Sequence, residues 1–171
     1  MTHAAIVRSP HAHARILGLA ASRALALEGV SAVLTYADFA EIAKPIPLRL
    51  APIADFDRFL QMPLAGEVAR FVGEPIAVVI AANRYVAEDA LSLVEVDYDP
   101  LPAVVSMDQA ACDEILVHEH NGTNVATSYA VANGSPDEAF ATAPYTRRET
   151  FRCQRHGAVP METRGFVADY D

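Results

Sequence analysis

The stretch GEPIAVVIAANRYVAEDALSLVEVDYD (residues 73–99) contains three kinds of local pattern in a row. Its run IAVVIAA (76–82) is continuously apolar, as in a strand that is covered on both faces. Asn83 is a favourable N-cap residue, and apolar residues after it recur at helical spacing. From residue 94 to residue 99 apolar and acidic residues alternate, which is typical of a half-buried strand. The stretch therefore predicts a buried strand, an amphipathic helix and a half-buried strand.

The chain before this stretch has further short patterns. Strands are predicted at residues 4–9, 13–20, 30–36 and 68–72. A helix capped by Ser22 is predicted at 23–28 and a helical turn at 38–43. In RSPHAHARI (8–16) we expect a hairpin, with a strand ending at Ser9, a turn through PHA and a second strand from His13. Residues 44–66 contain four prolines and no clear period, so we expect an irregular, functional or partner-facing loop. This order indicates an α+β fold with helices packed on a mixed sheet.

The last third of the chain has a different character. HEHNGTN (118–124) is loop-like, and SPDEAFATA (135–143) predicts a helix with Ser135 as N-cap, Pro136 at the first helical position and Glu138 closing a capping box. Strands are expected at 145–155 and 165–171. No repeat or low-complexity segment is present.

Composition limits the possible functions. The chain has 171 residues, 52% of them hydrophobic, which is enough for one domain, or for one domain and a fragment. A net charge of −9 argues against nucleic-acid binding. The apolar runs are too short for a membrane span, and without a secretory leader we expect a cytoplasmic protein. Cys112 and Cys153 are too far apart in sequence for a C-x-x-C motif, and we expect both thiols to be reduced and buried.

Charge is unevenly distributed along the chain. Between Tyr85 and Thr146 there are eleven acidic residues and no Lys or Arg, whereas Arg147, Arg148, Arg152, Arg155 and Arg164 follow closely. The two stretches could contact each other or a partner, although a solvated acidic face is the simpler interpretation.

Two H-x-H pairs, His11 with His13 and His118 with His120, raise the possibility of a metal-dependent hydrolase. In an extended chain residues i and i+2 share a face, so each pair could chelate zinc or iron. The chain is too short for a (β/α)₈ barrel, however, and His11 follows a turn proline. We therefore expect these histidines to have a structural role and the chain to contain no metal site.

Acidic residues offer two weaker candidates for a site. Glu95, Asp97 and Asp99 share one strand face, which we expect to be exposed to solvent and not to bind a cation. Glu162 in PMETRG lies among arginines and is either an ion-paired structural residue or a site acid. Neither G-x-G-x-x-G, nor a P-loop, nor G-x-S-x-G is present, so the residues alone predict no catalytic group.

Four stretches together resemble the molybdenum-binding large subunit of the xanthine dehydrogenase and aldehyde oxidase family, in its carbon monoxide or aldehyde dehydrogenase type. They are HAAIVRSPHAHARI (3–16), GVSAVLTYADF (29–39), the segment MPLAGEVARF…DPLPAV (62–104) and PMETRGFVADYD (160–171). The resemblance rests on their order and spacing. It implies an α/β hammerhead domain at residues 1–118 and the truncated start of the molybdopterin cofactor-binding domain at 119–171.

The resemblance also implies a function for the complete subunit. A molybdenum–pyranopterin, as its cytosine dinucleotide form, would hydroxylate an aldehyde, a heterocycle or carbon monoxide with water as the oxygen source, and iron–sulfur and flavin subunits would accept the electrons. The family's cofactor-contacting motifs have no match here, so no catalytic, cofactor-binding or metal residue is carried over. Thr163 replaces the proline that is common in the family's P-M-E-P-R-G stretch.

The implied role is that of an inactive structural portion of the subunit, whose partners are the rest of that subunit and the iron–sulfur and flavin subunits. Unpaired strand edges in residues 119–171 would favour self-association. A stand-alone interaction module that uses the acidic stretch, and the H-x-H hydrolase, are the alternatives.

Overall fold

Residues 1–129 form a unit with two sheets, and residues 130–171 form a second, smaller unit. The computed structural model describes residues 1–48, 53, 55–154, 157, 159–162 and 165–169. Strands β1–β6 are His3–Arg8, Ala14–Ala20, Val30–Thr35, Val68–Ala69, Pro75–Ala81 and Glu95–Pro100. Helices α1–α5 are Ser22–Leu25, Tyr36–Phe39, Arg84–Leu91, Met107–Ala111 and Pro136–Thr142, with 3₁₀ turns at Phe56–Phe59 and Glu119–Asn121.

Successive strands alternate between two three-stranded sheets. The first sheet has the order β1-β5-β3 and the second the order β4-β2-β6. The α+β class predicted from the sequence is confirmed. The four strand pairings recorded among the described residues are all antiparallel. Both sheets are therefore antiparallel, and the mixture of parallel and antiparallel pairs expected from the sequence is not found among these pairings. Every connection between consecutive strands therefore crosses from one sheet to the other.

Strand β5 is the centre of the unit because it is buried on both faces. Val79 belongs to one apolar cluster, with Ala24 of α1 and Ala90 of α3. Ile76 points the other way into a second cluster, with Ala65 and Ala69 next to the second sheet. The first sheet is thus covered by helices on one face and by the second sheet on the other, which explains the continuous apolar run of residues 76–82.

Helix α3 and strand β6 confirm the other two predictions made from residues 73–99. Asn83 caps α3, since its side-chain oxygen accepts a hydrogen bond from the Val86 N–H at 3.0 Å. In β6 Glu95, Asp97 and Asp99 are exposed, whereas Val96 is partly buried in the second cluster. Each of the three elements forms where the local pattern predicts it.

The hairpin expected at residues 8–16 is wrong. Strand β1 pairs with β5 and β2 pairs with β6, so RSPHAHARI connects the two sheets. The Ser9 N–H donates to the Glu74 carbonyl at 2.9 Å, and the Ser9 hydroxyl bridges to the His11 backbone. Pairing β1 directly with β2 would have left β5 without one of its partners.

Several element ends differ from the sequence predictions. Helix α1 begins at Ser22, and its N-cap is Ala21, which has no side-chain acceptor. Helix α2 begins at Tyr36, two residues before its predicted start, because Asp38 accepts hydrogen bonds from the Thr35 N–H and hydroxyl at 2.6 and 2.9 Å. Helix α4, which the sequence analysis did not predict, is capped by Ser106.

In the unit formed by residues 130–171, α5 is the predicted helix. Ser135 is its N-cap residue and Pro136 its first residue, but Ser135 makes no side-chain cap hydrogen bond and the expected capping box with Glu138 is not formed. These positions are exposed, so water can satisfy the helix end. The described parts of 145–155 and 165–171 contain no strand, because a strand requires a partner for its ladder and none is available among the described residues.

Replacing Val79 by alanine should destabilise residues 1–129. Val79 is 0% exposed, so losing two methyl groups there should lower the free energy of unfolding by about 2 kcal/mol through reduced burial and a residual cavity. Urea unfolding followed by circular dichroism measures the change. Val72→Ala is the matched control, since Val72 is 64% exposed; equal losses for the two variants would contradict this placement of the core.

Candidate functional site

An open cavity of about 370 Å³ lies in the unit of residues 1–129. The β4–β5 turn, residues 58–68 and the segment around His118 surround it. Its charged and titratable lining residues are Tyr36, Arg58, Glu67, Arg70, Glu74, His118 and His120, and its apolar lining includes Leu60, Met62 and Leu64.

Arg70 lines this cavity, and backbone carbonyl groups hold its guanidinium in place. Its Nε donates to the Val117 carbonyl at 3.2 Å and its Nη1 to the Val68 carbonyl at 3.1 Å. No carboxylate of a described residue lies within ion-pair distance of its guanidinium. Arg70 also lines a second cavity of about 310 Å³ together with His13, Arg15 and Glu114. The partly buried Arg70 guanidinium therefore lines both cavities.

Glu74 is a buried carboxyl group, only 4% exposed, beneath Arg70. Its Oε2 accepts a hydrogen bond from the Arg70 backbone N–H and so closes the β4–β5 turn. Burial raises the pKa of Glu74, while the Arg70 N–H, the Arg70 charge, the Phe71 N–H and His13 act in the opposite direction. The turn also contains Gly73, whose φ of 89° favours glycine.

His118 has the most perturbed imidazole in the unit. Burial lowers its pKa to about 4, and the nearby charges of Arg70, His120 and His13 add to this effect. Its ring meets Phe59 edge-on, with centroids 5.7 Å apart. His118 is therefore neutral at pH 7 and able to act as a hydrogen-bond donor or acceptor without carrying charge.

The segment that presents His118 is held closed by Asp113 and Asn124. The Asp113 carboxylate accepts from the Thr123 hydroxyl at 2.7 Å and from the Asn124 N–H at 2.6 Å, which lowers the pKa of Asp113. The Asn124 amide donates to the Ile115 and Ala110 carbonyls, and its oxygen accepts from the Val117 N–H. We call residues 113–124 the clasp.

The two H-x-H pairs occupy different environments. The His11 ring packs on Tyr98, with centroids 4.9 Å apart, whereas the His13 Nδ1–H donates to the Pro102 carbonyl at 2.8 Å. His118 and His120 meet edge-to-face at 5.8 Å. Within the described ranges no group of three or more His, Cys, Asp or Glu side chains is placed to hold a metal ion. His13 is near enough to His118 to influence its charge, and the positively charged Arg70 influences His118 in the same way. Arg70 and His13 also line the same cavity.

Most of the other residues considered from the sequence belong to the unit of residues 130–171. Glu162 is exposed, and Arg147 pairs locally with Glu149. Arg148 and Arg152 are exposed, while Arg155, Arg164 and Thr163 fall outside the described residues. The expectation that the cysteines are buried is wrong, since Cys112 and Cys153 are both exposed, and Cys112 lies at the end of α4.

Sequence reasoning did not single out Arg58, Arg70 or Glu74. Arg70 and Glu74 flank an apolar turn in VARFVGEPIAVV (68–79), and a carboxyl group next to a fully apolar strand is a signal of burial that could have identified Glu74. Nothing local to Arg58 indicated that it lines a cavity. No helix in the described part of the chain is both long and apolar enough to cross a membrane.

Comparisons with known proteins identify this fold. The model of the aldehyde oxidase and xanthine dehydrogenase a/b hammerhead domain matches residues 1–102. The nicotine 6-hydroxylase large subunit of Paenarthrobacter nicotinovorans is 36% identical over 99% of this chain and 21% of its own length. The carbon monoxide dehydrogenase large chain of Afipia carboxidovorans is 37% identical over 96% of this chain and 21% of its own length.

Solved structures agree with this assignment. A Cu,Mo carbon monoxide dehydrogenase matches with a TM-score of 0.56 and 41% identity over 65% of this chain and 13% of that chain. The aldehyde oxidoreductase from Desulfovibrio gigas matches with a TM-score of 0.62 and 32% identity over 68% of this chain and 13% of that chain.

The two-sheet unit therefore contains an α/β hammerhead domain of the aldehyde oxidase and xanthine dehydrogenase type. The chain belongs to the aldehyde oxidase and xanthine dehydrogenase family, as the resemblance in the sequence predicted. It spans about one fifth of the length of the curated relatives described above.

The described cavities do not fit the molybdenum–pyranopterin cofactor that the family implies. Glu67 and Glu74 line the larger cavity, and Glu114 and Glu119 the smaller one, so carboxylates would face the phosphates of a dinucleotide form. No step of a redox reaction is therefore assigned to these residues.

Asn124→Asp should open the clasp. The substitution keeps the side-chain size and the acceptor for Val117, but it places carboxylate oxygens against the Ile115 and Ala110 carbonyls. We expect the free energy of unfolding to fall by about 2 kcal/mol, and amide exchange to accelerate across residues 113–124. Thr127→Ala, at an exposed position, is the control. Unchanged exchange in Asn124→Asp would contradict the clasp.

His118 should make the unit less stable in acid. Because the pKa of His118 is about 4 in the folded chain and 6.5 in the unfolded chain, its contribution is complete above pH 6.5 and is lost as the pH falls towards 4. Between pH 7.5 and 4.5 the wild type should lose about 1 to 2 kcal/mol more than His118→Gln, after allowance for solvent screening of a half-buried ring.

Urea unfolding at both pH values measures this difference between the two proteins. His3→Gln is the control, since His3 lies at the start of β1 and away from the cavity. The raised pKa of Glu74 acts in the opposite direction and is present in both proteins. The same loss of stability in wild type and His118→Gln would contradict the assignment.

Proposed function

We propose that this chain is the amino-terminal structural portion of a molybdenum hydroxylase large subunit and that it is inactive alone. In this role the hammerhead packs against the cofactor-binding part of the subunit. The complete enzyme would hydroxylate an aldehyde, a heterocycle or carbon monoxide with oxygen from water. The names of the relatives support this range, since they include a nicotine hydroxylase, a carbon monoxide dehydrogenase and a nicotinate dehydrogenase molybdopterin subunit.

The observation that carries the proposal is the contrast between the two units. Residues 1–129 bury a core on both faces of β5, whereas every described residue from 127 to 169 is exposed. Large apolar side chains in the second unit are 66–102% exposed: Phe140, Tyr145, Phe151, Val159, Met161, Phe166 and Val167. Such a density of exposed apolar groups is typical of a surface that is covered in the assembled protein.

The proposal divides the chain at the boundary expected from the sequence. Residues 1–118 are the hammerhead, and residues 119–171 begin the cofactor-binding domain. Residues 119–124 also contribute to the clasp, and the Asn121 side-chain amide donates to the Arg58 carbonyl at 3.0 Å. Under this proposal, these contacts join the start of the second domain to the hammerhead. The chain contributes no catalytic, cofactor-binding or metal-binding residue of its own.

The proposed partners are the rest of the large subunit and the iron–sulfur and flavin subunits, in the cytoplasm, with no nucleic acid. Two relatives are described as parts of larger assemblies, a dehydrogenase complex subunit gamma and a carbon monoxide dehydrogenase large chain. The cofactor, a molybdenum–pyranopterin in its cytosine dinucleotide form, would be held by sequence outside this chain. Without these partners, the exposed apolar groups of residues 130–169 would drive self-association.

The purified chain should contain no stoichiometric molybdenum and show no dye-linked aldehyde or carbon monoxide oxidation. Metal content is measured by mass spectrometry and turnover by dye reduction, with the complete large subunit of a relative assayed in parallel. Cooperative urea unfolding provides the control that the chain is folded. Stoichiometric molybdenum together with turnover would refute the proposal.

The genomic reading frame supplies an independent test. A frame that continues past residue 171 into a glycine-rich cofactor loop supports the proposal. A stop codon with no neighbouring gene of this family would instead favour a stand-alone interaction module that uses the acidic stretch between Tyr85 and Thr146 to bind a basic partner.

A further inference from the structure

Two guanidinium groups line the larger cavity without a carboxylate partner among the described residues. Among the described residues, the Arg70 guanidinium donates to the Val68 and Val117 carbonyls. Arg58, at the exposed rim, donates from Nη1 to the Asn121 carbonyl at 3.4 Å, and its Cζ lies 5.2 Å from the centre of the Phe59 ring. A guanidinium has five N–H groups, so both retain donors for a ligand.

The nitrogen of Arg70 that makes no hydrogen bond to the described residues is not fully buried. Within the described residues no buried side-chain nitrogen lacks a hydrogen-bond partner, so the unbonded nitrogen of Arg70 is not sealed in the core. Because its Nε and Nη1 are anchored to backbone carbonyls, the guanidinium keeps a fixed orientation towards the cavities. A fixed planar donor of this kind matches the geometry of a carboxylate or a phosphate.

Part of the cavity lining is apolar. Leu60 and Met62 are partly buried, and Leu64 is 4% exposed. Small-ligand sites commonly combine such an apolar wall with a few fixed polar groups, in volumes from about 300 Å³ upwards. The cavity of about 370 Å³ is at the lower end of that range, so it can admit a small ligand.

We propose that this cavity binds a small monocarboxylate with an aromatic or aliphatic body. Its carboxylate accepts hydrogen bonds from Arg70 and Arg58, and its body lies against Leu60, Met62 and Leu64. This inference concerns residues 1–129 alone and does not depend on the proposed function.

The charges around the cavity favour a carboxylate over a phosphate. Glu67 and Glu74 line the same cavity, so a dianion would be repelled more strongly than a monoanion. His118 adds a neutral ring at pH 7 and no further positive charge. The two guanidinium groups face the carboxyl groups of the protein as well as the carboxylate of the ligand, so their net attraction for the ligand is weak. We therefore expect a Kd of about 1 mM.

The test is fluorine NMR of 4-fluorobenzoate with the 171-residue chain at pH 7 and low salt. We expect line broadening that saturates near 1 mM, with 4-fluorobenzamide, the neutral analogue, at least tenfold weaker. Phosphate should compete only at a concentration at least tenfold higher than benzoate. Ligand signals remain interpretable even if the chain self-associates.

Variants with opposite expected effects separate binding from loss of fold. Arg58→Gln should weaken binding about three- to tenfold and Arg70→Gln more than tenfold, whereas Glu67→Gln, which removes an exposed repelling carboxylate, should tighten it about threefold. Arg84→Gln is the matched control, since Arg84 pairs with Glu88 on the exposed face of α3. A gain of affinity in Glu67→Gln cannot arise from unfolding.

Three results would overturn the proposal. They are no saturable broadening with wild type, equal binding of the amide, or affinity that is unchanged in both Arg58→Gln and Glu67→Gln. Competition by phosphate at or below the benzoate concentration would overturn the preference for a monocarboxylate. Stronger binding of an acetylated triglutamate peptide than of benzoate would show instead that the cavity receives a polypeptide side chain.

Discussion

The buried carboxyl group of Glu74 connects the two sheets of the hammerhead. Its side chain closes the β4–β5 turn through the Arg70 N–H, while its backbone carbonyl accepts from the Ser9 N–H in the β1–β2 connection. The Gly73 N–H in turn donates to the Ser9 carbonyl at 2.8 Å. The β1–β2 connection and the β4–β5 turn, which are distant in sequence, are therefore held together where the chain crosses between the sheets. The buried Glu74 carboxyl group is tolerated because it accepts the hydrogen bond from the Arg70 N–H.

The alternation of strands between the sheets follows from the same arrangement. Strand β5 is apolar on both faces and lies between two layers, and its neighbours in the sequence, β4 and β6, both belong to the other sheet. Strand β6, which alternates apolar and acidic residues, forms an outer strand of the second sheet, with Glu95 paired to Arg23 at 2.7 Å on the exposed side. This surface ion pair is weakly stabilising, and the core on β5 supplies most of the stability of the unit.

The cavity that contains Arg70 results from this crossing. The Glu74 turn fixes the Arg70 backbone, the clasp brings the Val117 carbonyl to its guanidinium, and His118 is then held beside a cation in a half-buried position. The His118 imidazole therefore remains neutral at physiological pH. The sequence identified the histidines as unusual, but their meaning depends on an arginine that is 48 residues from His118 in the chain.

Local patterns were sufficient for β5, α3, β6 and the α+β class, because periodicity and capping act within a few residues. The family was identified from the resemblance of four stretches in their order and spacing along the chain. Local patterns were insufficient for the connection at RSPHAHARI. Turn residues such as Ser9 and Pro10 occur both where the next strand pairs with the preceding one and where it crosses to another sheet, so they do not distinguish the two cases. Local patterns also predicted strands at residues 145–155 and 165–171 that the described residues do not form, since a strand exists only with a partner. The sequence thus determined the elements of the hammerhead and its family, whereas the tertiary structure decided the pairing of strands, the burial of Glu74 and the cavity at Arg70, because these depend on contacts between residues far apart in the chain.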